Sequence, residues 1–286
     1  MAVEFDPMRS LIYVNCDNEK YRVHMEHWLQ TKHMQDSIAQ FEPYVTKYAY
    51  YKALPVPADG ERFGVFNYQM TEHYWLFNPE SPEFAVKAFG ERVDAGSLKA
   101  CGILPDDDRL TDQTVAAMIN DADALRNNTL GAPQISSPFI FVYLPVSWQE
   151  DYKGAMRTID QGPNYRWQML LNFPDGVSEE EADKWFREEM IPVFQNAPEV
   201  RRILSSKVRK DVNNTPYDRA VEMWFGNEEE WAKVVAEATK TVKKPSWATT
   251  DVFPYLQPKS QIASIMLSDY ASSNNMHNFG GPFLMR

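Results

Sequence analysis

Apolar and polar positions along the chain alternate in short stretches that switch between strand-like and helix-like periods and return in a repeating order. Residues 9–16 contain Leu11-Ile12-Tyr13-Val14, a β-rich run bounded by Asp17 and Asn18, which predicts a first strand. From His24 to Phe41, Met25, Trp28, Leu29, Ile38 and Phe41 recur at helical spacing. Pro43 disfavours helical backbone at Glu42 and closes that helix. Residues 45–54, rich in Val and Tyr, predict a second strand stopped by Pro55, Pro57 and a turn at Asp59-Gly60. Residues 63–77 predict a third. Because side chains alternate, Val65, Asn67, Gln69, Thr71, His73, Trp75 and Phe77 share one face, and Phe66, Tyr68, Met70, Glu72, Tyr74 and Leu76 the other.

Two helices are expected next, at 79–92, begun by Ser81 and Pro82, and at 111–126, capped by Thr111 with Val115, Met118, Ile119 and Leu125 as its stripe. A loop covers 95–109, and 139–146 predict a fourth strand. The pattern then restarts. A strand at 165–173 precedes Ser178 and Glu181, a capping box opening a helix with Trp185, Phe186 and Met190, whose end is complicated by Pro192 and Pro198. Strands at 203–209 and 220–225, a helix at 228–241 and a strand at 262–270 follow.

The order strand, helix, strand, strand, helix, strand thus occurs twice, and local echoes accompany it. Trp28 precedes His33-Met34 as Trp185 precedes Glu189-Met190, which sets Glu189 where the first half has His33. Trp75-Leu76-Phe77-Asn78 echoes Met223-Trp224-Phe225-Gly226. Each half reads as a ferredoxin-like split βαβ unit, an antiparallel sheet with both helices on one face. Its bare face must be buried, and a second copy can cover it. The expected fold class is therefore α+β, with tandem ferredoxin-like repeats. The first repeat takes 1–160 with a long insertion near 95–137, the second takes 161–270, and 271–286 form a tail that is disordered or lies as a strap across a neighbouring subunit.

Composition narrows the function. The 286 residues are 44% hydrophobic and 13% aromatic, enough for packed cores. A net charge of −11 argues against nucleic acid or anionic membrane as partners, since both are bound through an excess of Lys and Arg. Cys16 and Cys101 are too few for a disulfide framework. No basic, then apolar, leader and no apolar run of ~20 residues occurs, so a cytoplasmic protein is expected.

Trp28-x4-His33-Met34, Tyr44-Val45-x2-Tyr48-x-Tyr50-Tyr51 and Glu72-His73-Tyr74-Trp75 give the chain its resemblance to a known group. Over most of 9–92 and 165–270 it resembles the dimeric α+β-barrel superfamily, and within it the EthD-like and polyketide-cyclase-like branch. The resemblance implies a homodimer with a ligand cavity at His33. Members of the group include cyclases, dehydratases, isomerases, cofactor-free monooxygenases and haem enzymes, so fold does not choose the reaction.

His33 is the first candidate for chemistry, because an imidazole on the wall of a hydrophobic cleft can exchange a proton with a carbonyl substrate. His73 sits on the third strand, over which that helix packs. Tyr48, Tyr50, Tyr51, Tyr68 and Tyr74 supply hydroxyls that can donate to an oxyanion, and equally can simply fill a core. Asn67 and Gln69 are polar residues on the His73 face that need partners if buried. Arg166, beside Trp167, could meet a carboxylate or enolate. His24 and His27 share a helix face, but two ligands are not a metal site. No phosphate cradle or nucleophile elbow is present. Glu179–Glu181 and Glu228–Glu230 suit helix starts, and Asp106–Asp108 read as a solvated loop.

The expected function is cofactor-independent acid/base catalysis, by dehydration, cyclisation or isomerisation of a hydrophobic carbonyl compound, aromatic or not, without metal. His33, His73 and Tyr74 are the expected catalytic groups. Trp28, Tyr48, Tyr50, Tyr68, Asn67, Gln69, Trp75 and Arg166 are the expected substrate contacts. The rivals are oxidation, cofactor-free or through haem on His33 or His73, and a non-catalytic small-molecule carrier.

Overall fold

In a computed structural model, residues 5–16, 19–41, 44–66, 69–79, 81, 95–100, 106–113, 139–147, 149–212, 215–270 and 273–276 are described. The first sheet contains β1 (Met8–Cys16), β2 (Val45–Lys52), β3 (Gln69–Trp75) and β4 (Phe139–Ser147) in the order β2-β3-β1-β4. The second contains β5 (Glu150–Gly154), β6 (Asn164–Leu171), β7 (Arg202–Lys207), β8 (Arg219–Phe225) and β9 (Ile262–Asp269) in the order β5-β7-β8-β6-β9. All the paired strands are antiparallel. Leaving β5 aside, both sheets follow one ferredoxin-like path, so the tandem α+β architecture is present. The short strand β5 had no alternating apolar signature, being Glu-Asp-Tyr-Lys-Gly, and it extends the edge of the second sheet beside β7.

The two sheets bury their bare faces against each other. Leu11, Tyr13, Ala49, Tyr51, Met70 and Leu144 of the first form one core cluster with Leu170, Ala220, Ala263, Ile265 and Leu267 of the second. At one seam Ala53 bridges Leu267, and Leu54 N–H donates to the Met266 carbonyl at 2.7 Å; at the other Val146 bridges Val208. These seams close the sheets into a barrel within one chain.

Helices cover the outer faces. On the first sheet a continuous helical run comprises α1 (Glu19–Trp28), a π turn (Leu29–His33) and α2 (Met34–Phe41). On the second lie α4 (Glu179–Trp185), a π turn (Phe186–Met190) and α5 (Ile191–Asn196), then α6 (Glu228–Thr241). Short α3 (Ala95–Ala100) occupies what the sequence presents as a loop. Pro192 does not end the second run, because it sits in the first turn after the π turn, where a missing N–H is tolerated. The outer core of the second repeat packs Trp167, Met169, Phe186, Phe194, Trp231 and Val235.

The third strand is shorter than its pattern suggests. Residues Gly60–Phe63 form a 3-10 turn whose Phe63 crosses to the second repeat, with its ring 5.0 Å from Trp167 and 6.0 Å from Trp231. Gly64 follows with φ +62 against the Ile262 carbonyl, where a Cβ would collide. The expected helix at 79–92 and most of that at 111–126 lie outside the described residues, as do Asn67 and Tyr68. No helix among the described residues is long and apolar enough to cross a membrane.

Candidate active site

Ladder register separates the candidate residues by face. In the first sheet His73 lies opposite Ser10 of β1 and Tyr48 of β2, while Tyr74 lies opposite Arg9 and Lys47. His73, Tyr48, Tyr50, Gln69 and Trp75 therefore face α1 and α2, and Tyr74 faces the barrel. Under the helices Met8, Ile38, Phe41, Val45, Tyr48 and Trp75 form a buried cluster. His73 stands in it, stacked on Tyr48 with ring centroids 4.3 Å apart and edge-on to Trp75 at 5.7 Å. Phe41 approaches it at 6.0 Å. Trp75 Nε1–H donates to Ser10 Oγ at 2.9 Å.

Both ring nitrogens of His73 are buried without a hydrogen-bond partner. Burial, and then the nearby His33, lower its pKa from 6.5 to about 3 despite the opposing Glu72. His33 closes the π turn and stacks on Trp28 at 4.5 Å. The residue is half-buried, and burial lowers its pKa to about 4 against the opposing pull of Asp36. Two neutral imidazoles thus share one apolar layer at neutral pH. The Tyr48 phenol, beside Ser37, is pushed up by burial.

A polar chain runs along the same layer. Tyr50 Oη donates to Gln69 Oε1 at 2.8 Å, and Gln69 Nε2 donates to Glu26 Oε1 at 3.1 Å. Glu26 in turn meets Lys52 Nζ at 2.8 Å. Burial raises the Tyr50 phenol to about 12, so it is a donor, not a base. Glu26, Ser37 and Ser10 carried no signal in the sequence, since lone hydroxyls and acids on helices and strands are commonplace.

Tyr74 and Arg166 do not join this group. Inside the barrel, Arg9 pairs with Glu72 and, at 2.6 Å, with Glu222; Arg166 pairs with Glu222 at 3.0 Å and with Glu72 at 3.3 Å. Lys47 adds a contact to Glu72 at 3.2 Å, and Asp269 lies 3.5 Å from Arg166. Tyr74 lies under the Arg9 guanidinium, 4.9 Å from the ring centroid. The charges of this quartet satisfy one another, and the guanidinium groups hold Glu72 and Glu222 below the usual carboxylate range even though burial opposes it.

The same register corrects the internal echoes. Arg9 opposite Tyr74 matches Arg166 opposite Trp224, so His73 matches Met223 and Trp75 matches Phe225, two residues from the alignment of the sequence fragments. Counting through the two π turns from Trp28 and Trp185, His33 matches Met190 and not Glu189. The second repeat holds two methionines where the first holds two imidazoles. Away from this layer, His24 and His27 are exposed, and Asp107 pairs with Arg109. No group of three or more metal-ligating side chains occurs among the described residues.

The family model of the chalcone isomerase N-terminal domain matches residues 5–106, the stretch that holds both imidazoles. No curated protein matches the chain. Among solved structures, a mutant chlorite dismutase from Candidatus Nitrospira defluvii is 6% identical with a TM-score of 0.49, over 93% of this chain and 92% of its own. An anthrone oxidase-like protein is 8% identical with a TM-score of 0.42, over 94% and 93%. A protein described as a monooxygenase from Lactobacillus acidophilus is 12% identical with a TM-score of 0.32, over 92% and 93%. The α+β-barrel architecture stands on this chain's own strand order and seams.

Haem does not fit His73. An axial ligand needs a ring nitrogen open to the iron, and both nitrogens of His73 are sealed from any space a water could enter.

Proposed function

We propose that this chain is an enzyme that isomerises an aromatic carbonyl compound by cofactor-independent acid/base chemistry, with His33 as the proton-transfer group. The observation that carries this reading is the pair of neutral imidazoles in the apolar layer of the first repeat, where the second repeat has Met190 and Met223. A buried imidazole with neither nitrogen hydrogen-bonded, as in His73, costs a fold free energy that methionine in the same place would not. The match to the chalcone isomerase N-terminal domain covers that same repeat and suggests the substrate class. A chalcone is an aromatic enone, a hydrophobic carbonyl compound of the kind expected from the sequence. The EthD-like and polyketide-cyclase-like affinity of the sequence motif is compatible with ring-forming chemistry of this sort.

For such a substrate the steps balance without an oxidant. A phenol hydroxyl ortho to the carbonyl gives its proton to the neutral His33 ring. The phenolate oxygen bonds to the β-carbon of the enone while the C=C pair moves onto the carbonyl as an enolate. The imidazolium then returns the proton to the α-carbon. At neutral pH the His33 ring is unprotonated, the form that can accept a proton. His73 acts as a positioning residue, Trp28 offers the substrate a flat wall, and the Tyr50 hydroxyl, whose proton goes to Gln69, offers it an acceptor.

The test is turnover of a 2′-hydroxychalcone, followed by loss of the enone absorbance. His33→Ala is expected to lower kcat by roughly 10²–10⁴-fold with the melting temperature retained. Undiminished activity in that variant removes the assignment. Oxygen uptake accompanying turnover would move it to the oxidative rival.

A further inference from the structure

We infer that Asn274, Asn275 and Met276, at the end of the second repeat, are positioning residues for the imidazole pair of the first, acting by fixing Tyr48 against His73. The inference rests on the reading of His33 and His73 given above. β2 is the edge strand of its sheet, and the β9 seam reaches it only near Ala53, so its edge from Thr46 to Tyr50 needs another cover. The tail supplies it.

The grip centres on Tyr48, with one bond to each of Tyr50 and Thr46 beside it. Asn275 N–H donates to the Tyr48 carbonyl at 2.6 Å, and Tyr48 N–H donates to Asn274 Oδ1 at 3.2 Å. Tyr50 N–H donates to Asn275 Oδ1 at 3.1 Å, and Asn274 Nδ2 donates to the Thr46 carbonyl at 3.4 Å. Because both backbone groups of Tyr48 point outward to the tail, Tyr48 and His73 face each other as a non-hydrogen-bonded pair. This is the geometry that brings opposed side chains closest in an antiparallel ladder, and their rings stack accordingly.

Met276 adds a wall. It is buried in the cluster of Ile38, Phe41, Tyr48 and Trp75. The groups around His73 are then Tyr48 and Trp75 from the sheet, Phe41 and His33 from the helices, and Glu72 as the charge named above. None of these offers its ring a hydrogen bond. Its dryness depends on how well Tyr48 and its neighbours close over it. A cap that only shielded a strand edge would raise stability and leave the imidazole's surroundings unchanged.

The experiment uses the full chain with isotopically labelled histidine, recording the His73 ring signals by NMR from pH 7.5 to pH 5, alongside kcat and KM for a 2′-hydroxychalcone. In the native protein His73 is expected not to titrate in this range. Asn275→Ala and Met276→Ala are expected to let it titrate, with kcat lower by roughly 10- to 100-fold and KM changed less, and Met276→Leu to restore both readouts. If His73 stays silent in both alanine variants while they remain folded, the tail is an edge cap and the inference falls. Should Asn275→Ala unfold, the Met276 pair alone decides. The NMR signal is read without turnover, so loss of the chalcone assignment leaves this test intact.

Discussion

At the scale of single residues, the two imidazoles set an acid limit on the protein. Unfolded, each takes up a proton near 6.5, whereas folded His33 refuses it until about 4 and His73 until about 3. Between those limits the unfolded state binds more protons, so stability falls as pH is lowered through that window and levels off below it. The slope approaches about 1.4 kcal/mol per pH unit for each group. Glu72 and Glu222, whose folded pKa values are lowered, lose their contribution only below the ordinary carboxylate range. Urea unfolding of His73→Met, the residue of the second repeat, should therefore show a shallower loss between pH 6.5 and 4.5 than the native chain; an identical slope would mean that His73 is already protonated when folded. The face of each candidate was legible from period-two alternation, which sets Tyr74 opposite His73. The contents of each face were not, because alternation does not say which side is barrel and which is helix layer. Arg166 reads as a ligand anchor for that reason, and in the fold its charge is consumed by Glu222 and Glu72.

At the scale of elements, local signals succeeded where a cap or breaker acts within a few residues. Ser178 Oγ accepts from Glu181 N–H at 3.2 Å, as the capping motif requires, while the Glu181 carboxylate serves Ser246 instead of closing the box. At α6, Asn227 Oδ1 accepts from Glu230 N–H at 2.9 Å, and three glutamates fill the first turn. Asn227→Ala should lower unfolding free energy by about 1 kcal/mol, measured by urea titration, without changing turnover in the first repeat. A change in turnover would reveal coupling between the two helix layers. The π turns escaped sequence reading, since one extra residue in a helix leaves no compositional mark. They nonetheless decide where His33 and Met190 point, because an added residue shifts the register of the turn that holds it. The short β5 and α3 escaped too, having neither length nor amphipathic period.

At the scale of the whole molecule, the repeats are joined by exchange. Phe63 of the first repeat inserts into the helix layer of the second, and Met276 from beyond the second inserts into the layer of the first. Between them the Arg9–Glu72–Arg166–Glu222 quartet ties each guanidinium to a carboxylate of both repeats. Removing one carboxylate would strand a buried charge, so Glu72→Gln should cost about 3–5 kcal/mol in urea unfolding; a loss below 1 kcal/mol would show that water already reaches the quartet. Since the barrel closes within a single chain, covering the bare sheets does not require a second one. The sequence by itself determined the strands of the two units, the alternating faces of those strands and the capped starts of the second-repeat helices, because these follow from contacts between residues close in the chain. Only the tertiary structure decided that Arg166 and Tyr74 serve the barrel, that His33 corresponds to Met190, and that the tail grips Tyr48. Each of these depends on strands brought together from distant parts of the chain, and on a one-residue register that no local preference encodes.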